Sequence, residues 1–75
     1  MSQDIIDILN LCKTLQDLGH RVSFLNSFGN IEIEHRDNES FEMIGKFTIR
    51  DIKNQIMIAA VNGYLSRLIA EQNSK

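Results

Sequence analysis

Proline and tryptophan are absent from this 75-residue sequence, and cysteine and tyrosine occur once each. The lone Cys12 excludes a disulfide within the chain. One cysteine and two histidines are also too few for a closed zinc site. Without proline, the punctuation of the chain falls to four glycines and to clusters of Asn, Asp and Ser. Long apolar runs are missing, and nothing approaches the roughly 18 residues of a membrane span. The opening Met1-Ser2-Gln3-Asp4 has neither the basic flank nor the cleavage site of a secretory leader. A cytoplasmic protein without a membrane contact is therefore expected. Strong charge is lacking as well: a net charge of −2 argues against bulk attraction to nucleic acid.

What remains is an ordinary globular composition, 43% hydrophobic and 24% charged. It reads as a single small domain over residues 1–75. A core of this size leaves little net stability, so a second subunit is expected to help.

Residues 3–18 form an amphipathic helix. Ile5, Ile8, Leu9, Leu11, Cys12, Leu15 and Leu18 share about half its circumference, Ile6 points outward, and Gly19 stops it. Residues 21–25 make a short strand, and residues 26–29 a hairpin-length loop. Residues 30–35 alternate strictly, with Ile31 and Ile33 inward and Glu32 and Glu34 outward. A polar turn over 36–40 leads to a third strand over 41–47, with Phe41, Met43 and Phe47 on one face. Thr48-Ile49-Arg50-Asp51 resembles a capping box and opens a helix to about Glu71. The expected class is α+β, a two-layer arrangement of helix, three-stranded antiparallel meander and helix.

Two apolar stripes mark the second helix. Ile49, Ile52, Ile56, Ala59, Ala60 and Gly63 form the first and are expected to cover the sheet. Met57, Val61, Tyr64, Leu65 and Leu68 lie about 110° further round at 100° per residue. A helix of ~23 residues would span ~35 Å and overhang its strands. The second stripe then calls for the first helix, a kink near Asn62-Gly63 or a second molecule. Tyr64, Leu65, Leu68 and Ile69 are on this reading a homodimer seam, whereas the small residues Ala59, Ala60 and Gly63 serve close core packing.

Candidate chemistry is sparse. His35-Arg36-Asp37 has the letters of a kinase catalytic loop but none of its companion motifs. Cys12 sits among leucines and reads as a buried thiol. His20 and His35 could meet at the sheet end, with Asp17 or Glu34 near. No metal-ligand spacing supports a site there, and solvated histidines are expected. An enzyme would need a cleft lined by His20, His35 and carboxylates. No cofactor motif is present, and no catalytic set. Glu32, Glu34 and Glu42 are expected on the outer sheet face, where they could dock a protein partner. Lys46, Arg50 and Lys53 gather at the start of the second helix and could hold phosphates.

The element order, Lys53 and the pair Ala59-Ala60 resemble the double-stranded RNA-binding domain. That resemblance implies a nucleic-acid-binding module using Lys46, Arg50 and Lys53. The loop at 26–29 departs from the family's Gly-Pro-x-His pattern, and no Lys-Lys pair precedes the helix. The leading expectation is a non-enzymatic regulator or inhibitor that binds a protein partner, as a homodimer.

Overall fold

The computed structural model describes residues 3–73. Helix α1 (Gln3–Asp17) is followed by strands β1 (Arg21–Ser27), β2 (Asn30–Arg36) and β3 (Met43–Ile49), then helix α2 (Gln55–Asn73). The strands form an antiparallel meander in the order β1-β2-β3. Both helices pack on one face, so the expected two-layer α-β-β-β-α architecture is what the chain adopts. Among the described residues no helix is long and apolar enough to cross a membrane.

In α1 the spacing of Ile5, Ile8, Cys12 and Leu15 places four fully buried side chains in one line. The helix ends in a paired cap. His20 N–H donates to the Leu15 carbonyl at 2.9 Å and Gly19 N–H to that of Gln16 at 3.0 Å. Gly19 takes φ +93°, the left-handed geometry this cap needs. Leu18, counted inward from its spacing, lies past the last turn and is exposed.

The first hairpin is tighter than its sequence suggests. Strand β1 continues to Ser27, which pairs with Asn30, leaving only Phe28 and Gly29 in the loop. Their φ angles of 52° and 80° are those of a type I′ turn. An aromatic residue there is unexpected, because a Cβ disfavours this region.

The third strand starts two residues later than its alternation suggests. Asp37 N–H donates to the Glu42 carbonyl, Phe41 turns to φ +61°, and a register shift at His35/Arg36 precedes the regular pairing. Phe41 therefore leaves the inner face, and its ring receives the Arg21 guanidinium at 4.1 Å.

The larger correction concerns α2. Thr48 and Ile49 do not open a helix; they extend β3, where Ile49 pairs with Ile31 and is fully buried. Asp51 instead accepts Lys53 N–H at 2.8 Å in a tight turn. Asn54 is the cap: its Oδ1 accepts Met57 N–H at 3.1 Å. Shortened to 19 residues, the helix spans ~28 Å against ~23 Å for the strands, and most of the overhang disappears.

The second stripe of α2 packs inward against α1, the first of the alternatives expected for it, and only the first stripe is misplaced. Ile58, Val61 and Leu65 are buried, and Met57, Tyr64, Leu68 and Ile69 pack against the same core. The stripe expected to cover the sheet faces outward: Ile52, Ile56, Ala59, Ala60 and Gly63 are exposed. A Cβ added at Gly63 would meet nothing within 4 Å, so this glycine serves no close approach within the chain. Gly63→Ala is therefore expected to stabilise the protein by about 0.5–1 kcal/mol, read as a higher urea midpoint.

Both helices begin at the hairpin end, where Asp4 shares a cleft with Gln55 and Ala59. They finish together at the opposite end, where His20 meets Gln72 at 3.2 Å.

Candidate functional site

At that second end a polar cluster interrupts the core. Alternation along β2 carries His35 inward behind Ile31 and Ile33, and it is only 8% exposed. Its Nδ1 lies 2.8 Å from the Tyr64 hydroxyl, so the solvated role expected for it does not hold. Tyr64 reaches this position because Gly45 lies beneath it. A Cβ on Gly45 would stand 3.0 Å from the hydroxyl and 3.3 Å from Cζ. Phe47 steadies the ring, with centroids 5.0 Å apart. His20 completes the group, its ring 6.3 Å from that of His35, so the two histidines do meet at the sheet end.

Burial drives His35 toward the neutral form and holds its pKa below 6.5. The nearby His20 pushes the same way, and the Asp37 carboxylate opposes them. Burial also raises the Tyr64 hydroxyl, with Glu71 adding to it. The sign for stability follows. A group with a depressed folded pKa binds fewer protons than its unfolded counterpart near pH 6. Its contribution is thus complete above pH ~6.5 and is lost as pH falls through the folded value. Urea midpoints measured from about pH 7 down to pH 5 should fall further for the wild type than for His35→Gln, which cannot take the proton.

Beside the cluster lies a cleft of about 340 Å³ bounded by His20, His35, Arg36, Asp37, Asn38, Glu39 and Ile44. These are the residues an enzyme reading requires, but their hydrogen bonds point elsewhere. The Asp37 Oδ2 accepts from Glu39 N–H, Ser40 N–H and the Ser40 hydroxyl at 3.0, 2.9 and 3.2 Å. Those bonds hold its carboxyl below the usual range. It therefore braces a turn and does not orient His35, whose Nδ1 is given to Tyr64. Among the described residues no three His, Cys, Asp or Glu side chains gather to hold a metal ion. Cys12 is fully buried, and desolvation pushes its thiol up to about 11, so it stays protonated.

The residues expected to contact partners are dispersed. Leu65 is 0% exposed within its own chain, and Tyr64 is committed to His35 and Phe47. Leu68 and Ile69 are half-buried against the core. Glu32 and Glu34 do share the open face of the sheet, opposite Thr48 and Lys46. Glu34 is flanked there by Arg36 at 3.7 Å and Lys46 at 3.9 Å, which offset its charge. Glu42 belongs to the β2–β3 connection and does not join them. Lys46 lies on the sheet, while Arg50 and Lys53 lie in the turn before α2 and not in its first turn.

The apolar surface is what the sequence reading missed. Phe28 is fully exposed at the hairpin tip, and Ile56 is 86% exposed in the first turn of α2. The Phe28-Gly29 pair between two alternating strands was the available signal for the first. For the second, the signal was Asn54 as an alternative cap. No protein-family model, curated protein or solved structure matches this chain.

Proposed function

We propose that the protein is a small non-enzymatic regulator that acts by occupying a groove on a protein partner. The observation that carries this reading is the outer face of α2. Ile56, Ala59, Ala60 and Gly63 stand at i, i+3, i+4 and i+7 and are all exposed. That spacing is the one by which a helix seats its apolar face in a groove. Residues 54–66 carry no charge, and the small side chains at 59, 60 and 63 permit close approach. Ile52, exposed in the preceding turn, extends the patch toward the hairpin end. The commitment of His35 and Asp37 to internal bonds favours binding over catalysis.

The test is capture of a stoichiometric partner on immobilised protein, with Ile56→Lys as the counterpart. A partner retained by the wild type and lost on Ile56→Lys, at unchanged stability, is expected. Equal retention by both proteins would show that this face does not bind the partner.

A further inference from the structure

We propose that two copies of the chain pair edge to edge through β1, antiparallel, in the register that sets Leu25 opposite Leu25 of the second copy. This surface is distinct from the outer face of α2, so its failure leaves the groove-binding reading standing.

The sheet has two free edges, and they differ. On β3 the edge carries Lys46 and the register shift opposite His35/Arg36, both of which discourage pairing. On β1 the register is regular throughout, and residues 22–31 contain no charge and no proline. No β-bulge, inward charge or proline guards that edge.

The hairpin geometry determines which backbone groups are free. In a two-residue hairpin the closing pair, Ser27 and Asn30, exchanges its hydrogen bonds. Alternation then turns Arg21, Ser23, Leu25 and Ser27 toward β2, and Val22, Phe24 and Asn26 toward the open edge. The Val22 carbonyl is found there, taking the Gln16 side-chain N–H at 2.6 Å. Phe24 and Asn26 are left with their N–H and C=O groups facing outward.

That pair is self-complementary. A two-fold axis at Leu25 places Phe24 opposite Asn26 of the second copy, and Asn26 opposite its Phe24. Each pair can exchange both backbone bonds, and the Val22–Gln16 bond is undisturbed. On the open face Leu25, 52% exposed, meets its own copy. Ser23 meets Ser27, and the exposed Phe28 comes alongside Val22 of the second copy. Residues 22–28 contain no charged side chain, so none meets another across the seam, and Glu32, opposite Leu25, stands one strand further in on each copy.

Sedimentation equilibrium from about 10 to 500 µM reads the association directly. A species of twice 8.6 kDa is expected to grow in with concentration. Leu25→Lys sets two ammonium groups opposite each other. Asn26→Pro removes an outward N–H while sparing the ladder to β2. Both are expected to remain monomeric with unchanged circular dichroism. Thr48→Lys adds the same charge to the same open face at the β3 edge and is expected to dimerise as the wild type does. Should a variant fail to fold, amide exchange of the wild type decides. Phe24 and Asn26 N–H are expected to slow as concentration rises. A wild type monomeric at about 500 µM would overturn the proposal. So would dimers that survive both β1 substitutions, loss of dimer in Thr48→Lys, or concentration-independent exchange at Phe24 and Asn26.

Discussion

Leu65→Ala is expected to cost about 3 kcal/mol, a large share of what a domain this small has to lose. Leu65 is fully buried between the helices and the sheet, in one cluster with Ile8, Cys12, Ile33 and Val61. Truncation removes apolar contact and leaves a cavity that two layers of secondary structure cannot fully close. The loss is expected to be the same at about 2 µM and 200 µM protein, because Leu65 is fully buried within its own chain. A seam between copies would give a loss that shrinks as association is diluted away. Urea unfolding at the two concentrations separates these outcomes.

Gly45→Val is expected to cost about 2 kcal/mol through overpacking. The backbone at Gly45 is not strained toward positive φ, so the effect comes from space alone. Its Cβ would stand 3.0 Å from the Tyr64 hydroxyl and 3.3 Å from Cζ, and the branched methyls reach further. Tyr64 must then tilt away from His35. That leaves a buried imidazole without its partner and disturbs the Phe47 contact. The signature is a fall in urea midpoint together with a change in the tyrosine near-ultraviolet dichroism. Gly63→Ala, in open space, should show the opposite sign of stability change.

Local chemistry was legible in the sequence wherever one rule acted alone. The stripe Ile5, Ile8, Cys12 and Leu15, the stop at Gly19 and the alternation Ile31-Glu32-Ile33-Glu34 each fixed an element and its face. Errors arose where two rules competed. Thr48 to Asp51 satisfies a capping pattern, but Ile49 gains more by pairing with Ile31 inside the sheet. A helix start at Thr48 implies a long overhang and a first stripe on the sheet, and the start at Gln55 removes both. The expected seam at Tyr64, Leu65, Leu68 and Ile69 follows from the start at Thr48. The His35–Tyr64 contact was not legible because it joins residues 29 apart in sequence. It depends on the absence of a side chain at Gly45, which no local pattern reports. Of the acidic face, Glu32 and Glu34 lie where their alternation predicts. Glu42 was lost to the register shift that delays β3.

Helix α2 buries its second stripe in the chain's own core and leaves Ile56 exposed. Denaturant unfolding of Ile56→Lys tests it most directly. Lysine is at least as good a helix former as isoleucine, and the side chain is 86% exposed. Stability within about 0.5 kcal/mol of the wild type is expected. A loss of about 3 kcal/mol, as for a buried residue, would contradict it and return the first stripe to the core.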